Sequence, residues 1–202
     1  MQRLKPQKPS DSKRYSLKID IAALHILSHA VYGLPELFRE KIKSATLVAN
    51  PGCYPTASLL GIAPALQAGV IDTKQSIIVR AISGYSGAGV SYKPTSGTRP
   101  YKIARHKHTP EIAQVCDDYV QQYSGQQSNI AVSFAPRIND DMERGIDADI
   151  SVAMSGLMDQ DELRKMFQTF YGLEPLIEVL EMEPDVKTMI KQNGAQVAVW
   201  KE

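Results

Sequence analysis

Thr46-Leu47-Val48-Ala49-Asn50-Pro51-Gly52-Cys53-Tyr54-Pro55-Thr56-Ala57-Ser58 is the stretch on which the fold turns. Thr46 to Ala49 is a β-type run, and Asn-Pro-Gly is turn chemistry that stops it. Ala57 to Leu66 then has helical character, and Pro55 suits a first helical turn, where its missing N–H is no loss. The reading is strand, sharp turn, helix, with Cys53 at the hinge. A thiol there meets unpaired backbone N–H groups and the positive end of a helix dipole. Such a setting lowers a thiol pKa and makes a nucleophile. The competing reading is a small buried apolar residue. The Pro-Gly and Tyr-Pro flanks argue against it.

The rest of the chain sets bounds on function. Its 202 residues suffice for one sizeable core or two small domains. With 43% hydrophobic and 22% charged residues the composition is globular, and a net charge of +1 gives no electrostatic case for nucleic acid or membrane surfaces. No apolar run has the length of a membrane span. Two cysteines do not make a disulfide framework, and a reducing, cytoplasmic setting is expected. Residues 1–20 read as a flexible lead without a secretory signal, and 21–202 as the folded domain.

Along the chain, the spacing predicts a helix over Asp20–Tyr32, ended by Gly33 and Pro35, and a short helix over Pro35–Ile42. The helix after Cys53 should reach Gly69 and bend or split at Pro64. Ser76–Ile82 is a strand leading into Ser83-Gly84-Tyr85-Ser86-Gly87-Ala88-Gly89. That glycine-rich turn either wraps an anion with exposed N–H groups or is an ordinary hairpin. It lacks the dinucleotide-binding glycine spacing. Val90–Pro100 reads as a loop. Thr109 and Pro110 read as N-cap and first position of a helix over Glu111–Tyr123, with Cys116 on its core face. His106 and His108 precede that helix in a loop, where one could transfer protons. Two histidines without further ligands are a poor zinc signature, so no metal is expected. Strands are expected over Asn129–Ala135 and Asp147–Met154. The polar loop between them carries Arg137 and Arg144, which either hold an anion or pair with Asp140, Asp141 and Glu143 in solvent. Asp159–Tyr171 is an amphipathic helix with an Asp159/Glu162 capping box and Gly172 as its stop. Leu176–Leu180 and Gln196–Trp200 complete the strands. This order favours an α+β fold, a mixed, largely antiparallel sheet with helices packed on it.

Four motifs, in order, resemble N-acetyl-gamma-glutamyl-phosphate reductase. They are Ala30-Val31-Tyr32-Gly33-Leu34-Pro35-Glu36, Asn50-Pro51-Gly52-Cys53-Tyr54-Pro55-Thr56, the Ser83–Gly89 turn, and His106-Lys107-His108-Thr109-Pro110-Glu111-Ile112. Arg144-Gly145-Ile146 and Pro184-Asp185-x-Lys187 also fit. The resemblance implies NADPH-dependent reductive dephosphorylation of an acyl phosphate in arginine biosynthesis, with Cys53 as nucleophile and His108 as proton carrier. It implies substrate contacts from His106, Glu111, Ser83, Ser86 and Arg144, and a nicotinamide-side turn built on Gly84, Gly87 and Gly89. Glu111 would orient the histidine.

The family's Rossmann unit has no counterpart upstream of Cys53. The expectation is therefore a catalytic and substrate domain whose cofactor-binding segments lie elsewhere, as a fragment or on a separate chain, and which forms homo-oligomers. Departures from the family pattern fall at Val90, Lys107 and Arg137. Two rival readings remain: a non-catalytic oligomerisation domain, and a neighbouring enzyme such as aspartate-semialdehyde dehydrogenase.

Overall fold

A computed structural model describes residues 26–201. The expected lead, residues 1–20, and the part of the expected first helix up to residue 25 lie outside the described residues. The chain separates into two compact units, Met1–Gly52 and Cys53–Glu202. Among the described residues no helix is long and apolar enough to cross a membrane.

In the first unit, β1 (Val31–Tyr32) pairs in parallel with β2 (Val48–Ala49), and α1 (Pro35–Lys43) connects them. Val31 and Tyr32 are strand, not the end of a helix as their spacing suggested. The ladder to Val48 and Ala49 outweighs local helical periodicity. Pro35 opens α1, Glu36 sits in its first turn and Lys41 and Lys43 in its last, each at the end its charge favours.

The second unit is built on a four-stranded sheet in the order β4 (Thr98–Pro100), β5 (Val132–Asn139), β3 (Ile77–Gly84), β6 (Ile146–Ser151). β3 and β5 are parallel, from Ile77↔Val132 to Gly84↔Asn139. β6 runs antiparallel to β3, and β4 antiparallel to β5. The sheet is thus mixed, two of its three pairings are antiparallel, and the class is α+β. A parallel pair needs a long crossover. Here the crossover carries β4 and α3 (His108–Ser124). Ile77, Val79 and Ala81 alternate inward along β3 while Ile78 and Arg80 face solvent. α3 buries Ile112, Val115, Cys116 and Tyr119, so Cys116 is core.

α2 (Cys53–Gln67) starts at the cysteine itself, four residues before the expected helical run, and is apolar nearly all round. That pattern belongs to a central, fully packed helix. Of the bend or split expected at Pro64 the split does not occur, and the helix continues to Gln67. Pro64 has no N–H for the carbonyl of Leu60, and the hydroxyl of Tyr171 donates to that carbonyl instead.

α4 (Gln160–Tyr171) has both arms of the Asp159/Glu162 capping box. β7 (Ile177–Val179) and β8 (Ala195–Val197) form a short parallel pair.

Other boundaries moved for physical reasons. β5 continues four residues past Ala135 because β3 pairs with it throughout, and the Pro136 carbonyl accepts from Tyr101 N–H. β6 stops at Ser151, and only Met154 bridges on, to Ile71. The expected Val90–Pro100 loop contains β4.

Candidate active site

Cys53 is solvent-exposed at the first position of α2. Its setting corrects the expectation of a lowered pKa. Crowding by surrounding protein raises the thiol above its ordinary value. The backbone N–H groups of Tyr54 and Cys53, and the charge of Lys107, pull it down without overcoming that; Glu111 adds to the rise. The sulfur therefore keeps its proton at neutral pH. The same contributions show which groups reach it: the start of α2 and, from the start of α3, Lys107 and Glu111.

His108 is the first residue of α3, and Thr109 and Pro110 fall inside its first turn, so Lys107 and not Thr109 precedes the helix. Neither histidine is a loop residue in solvent. Both are buried, about 5% exposed for His106 and 6% for His108. They sit in an aromatic cluster. The His106 ring lies 4.6 Å from that of His108, 5.4 Å from Tyr54, 5.4 Å from Phe134 and 5.7 Å from Tyr101, centre to centre. Tyr54 also stacks edge-on with His108 and Phe134.

Burial holds His106 down to about 4, with Lys102 and Lys107 acting the same way. Burial first, then His106, Lys107 and Lys102, takes His108 to about 3. Both rings are neutral at pH 7. His106 Nδ1 accepts from the His108 backbone N–H at 3.2 Å, which puts the His106 ring proton on Nε2. His108 Nε2 is 4.0 Å from a Glu111 carboxylate oxygen, beyond hydrogen-bond distance and an ion pair only when the ring is protonated. His108 Nδ1 is buried without a hydrogen-bond partner.

Tyr54 connects this cluster to β3 and β5. Its hydroxyl donates to the Arg137 carbonyl at 2.7 Å, and Ser83 reaches the same hydroxyl. Ser83 is buried and donates to the Gly84 carbonyl at 2.8 Å. Ser83 is thus turned inward beneath the cluster.

The remaining expected residues gather elsewhere, around the 142–145 loop. The N–H groups of Gly84, Tyr85 and Ser86 donate to the carbonyls of Gly145, Met142 and Glu143. This part of the turn does not fit a phosphate cradle, because its donors are spent. Gly84 has a packing reason to be glycine: a Cβ would lie 2.5 Å from the Glu143 carbonyl oxygen. A Cβ on Gly87 would meet Ser83 Oγ at 2.8 Å, whereas Gly89, at φ +102°, faces open space. Ser86 is exposed. Arg144 is also exposed, with Nε 3.8 Å from Glu143.

Three site features escaped the sequence reading. Tyr54 lay in the quoted stretch but was read only as a flank. Phe134 looked like any strand residue. Asp140, read as one of several solvated acids, is buried and accepts from Tyr92, Thr95 and Arg99. Away from the cluster, an open groove of about 790 Å³ lies between the end of α4 and the β7–β8 pair. It has no Cys, His, Lys or Arg in its lining.

Comparison with known proteins places this geometry. Residues 53–202 match the family described as semialdehyde dehydrogenase, dimerisation domain. Curated proteins named N-acetyl-gamma-glutamyl-phosphate reductase are similar over most of the chain. One from Desulforudis audaxviator is 38% identical, covering 90% of this chain and 53% of its own length. One from Gloeobacter violaceus is 42% identical, covering 77% and 44%. The chain thus spans about half the length of these relatives. Aspartate semialdehyde dehydrogenase II from Vibrio cholerae shares the fold at TM-score 0.54 and 16% identity, over 79% of this chain and 54% of that one. With three-quarters of its length matched, the chain belongs to the semialdehyde dehydrogenase family, through the dimerisation domain.

Proposed function

We propose that this chain is the catalytic and substrate-binding part of an N-acetyl-gamma-glutamyl-phosphate reductase, working in the cytoplasm in arginine biosynthesis. The observation that carries the reading is the position of Cys53. It is an exposed thiol opening a helix, with two backbone N–H groups on the sulfur and the charged groups of the next helix start in reach.

Both groups start neutral: thiol on Cys53, unprotonated imidazole on His108. His108 takes the thiol proton as Sγ attacks the acyl carbon. An S–C bond forms, the C–O bond to phosphate breaks, and inorganic phosphate leaves. The Glu111 carboxylate, 4.0 Å from His108 Nε2, favours the imidazolium this creates. The helix N–H groups favour negative charge on sulfur and on the carbonyl oxygen. NADPH, held by a cofactor-binding domain other than this one, supplies the hydride that reduces the thioester. The spent N–H donors of Gly84, Tyr85 and Ser86 argue against that part of the turn as its phosphate site.

We also infer a homodimer through the open sheet face. Ile78 and Arg80 face out from β3, and Asp147, Asp149 and Ser151 from β6. The family's name and this uncovered face support it.

The test supplies the cofactor domain, adds NADPH and N-acetyl-gamma-glutamyl phosphate, and follows phosphate release and NADPH oxidation. Cys53→Ser should lose at least ~10³-fold in rate, while Cys116→Ser keeps it. Undiminished turnover by Cys53→Ser would overturn the catalytic reading. Sedimentation of the same preparations as monomers at micromolar concentration would overturn the dimer.

A further inference from the structure

We propose that Asp140 is a positioning residue for the imidazole cluster: its buried carboxylate anchors the segment 92–101, and that segment, through Tyr101, sets where His106 sits. The inference rests on reading His106 and His108 as part of the working site.

Asp140 follows the last residue of β5, and its side chain is fully buried. One oxygen accepts from the Tyr92 hydroxyl at 2.7 Å. The other accepts from the Thr95 backbone N–H at 3.1 Å, from the Thr95 hydroxyl at 2.8 Å and from the Arg99 guanidinium. The Asp140 N–H donates to the Gly97 carbonyl, and Asp141 accepts from the Gly97 N–H. The Arg99 guanidinium also lies over the Tyr92 ring. One carboxylate therefore gathers three side chains of a segment that has only a three-residue strand of its own.

From Arg99 the constraint runs along β4. Arg99 pairs with Ile138 and Pro100 with Arg137, and the Tyr101 N–H donates to the Pro136 carbonyl. The Tyr101 ring then lies against His106. Between Tyr101 and His106 the backbone turns through two non-glycine residues at positive φ, Lys102 at 52° and Ala104 at 58°. Side chains rarely adopt that conformation, and it persists where the surrounding structure holds it. One end is His106, against His108 at the start of α3. The other is Tyr101, and what ties Tyr101 leads back to Asp140.

Loosening that tie lets the turn relax and Tyr101 leave the ring it shields. The groups facing His106 are Tyr54 from α2, Phe134 from β5, Tyr101, Lys102, Lys107 and His108. Among the described residues, Glu111 is the acid in contact with the cluster, on the His108 side.

The test is an NMR titration of the four histidines in the full chain and in two variants, Asp140→Asn and Tyr92→Phe/Thr95→Val. In the unaltered chain His106 should titrate near 4. Asp140→Asn should move it upward by at least one unit, a tenfold gain in proton affinity. The double variant, which changes no charge, should move it the same way by less. Losing a negative charge by itself lowers a histidine pKa, so an upward shift reports released packing. Unmoved or lowered titration in folded Asp140→Asn overturns the proposal. Should that variant not fold, unmoved titration in the double variant overturns it. The readout needs no substrate or turnover, so failure of the Cys53 chemistry and failure of this inference are separate results.

Discussion

Strand β5 carries a buried polar cluster at each end, and the two are built on opposite rules. At its far end Asp140 has donors from Tyr92, Thr95 and Arg99 on both oxygens. Although burial pushes its pKa up, the hydrogen bonds from Thr95 and Arg99 outweigh that and hold it below the usual carboxylate range. Near its start, Phe134 packs on Tyr54 and His106. There His108 leaves one ring nitrogen buried and unpartnered, and the other 4.0 Å from Glu111, beyond hydrogen-bond distance. A saturated cluster rigidifies a scaffold. An unsaturated one costs stability, and such costs concentrate where chemistry needs a group held ready.

The contrast can be broken first at Phe134. Phe134→Ala removes the wall shared by Tyr54 and His106. It should cost about 3–5 kcal/mol of stability, as large aromatic truncations in packed cores do, and should let water reach the histidines. Urea denaturation with the histidine titration measures both. A loss under ~1 kcal/mol, small for a core truncation, would mean that the cluster is not a packed unit.

A smaller effect separates the two ends by pH. Both histidines have folded pKa values below the unfolded value, so the fold favours their neutral forms. Their contribution is fully present above about 6.5, the unfolded histidine value. It is lost as pH falls toward 4 and then 3, because the unfolded chain binds protons that the native chain refuses. Asp140, also shifted down, loses its contribution only below the unfolded carboxylate range near 3.9. Denaturation midpoints should therefore begin to fall just below pH 6.5. Flat stability from pH 7 to 4.5 would contradict the buried neutral imidazoles.

Much of this was legible beforehand. The Asp159/Glu162 box, the core face of α3 and the helix following Cys53 follow from local rules, and all three stand in the structure. The nature of the site residues' surroundings was less so. The helix start supplies the N–H groups expected at Cys53, whereas the crowding that raises its pKa depends on elements distant in sequence. Pro64 reads as a helix breaker unless one knows that Tyr171 will cover the Leu60 carbonyl. His106 and His108 stand in a polar stretch, and only folding brings Tyr54, Tyr101 and Phe134 around them. Asp140 beside Asp141 looks like solvated charge because its partners, some forty residues away in sequence, become neighbours through the sheet.

The central claim is that Cys53 is the reactive group, a neutral but accessible thiol at a helix start. Its most direct test is the rate of iodoacetamide alkylation at each cysteine against pH, read by mass spectrometry in the folded chain. The account predicts that Cys53 labels along a single titration with its midpoint above the ordinary thiol value, while Cys116, buried and raised further, stays unlabelled. Labelling of both cysteines at one slow rate, or a Cys53 already fully ionised at pH 6, would contradict it.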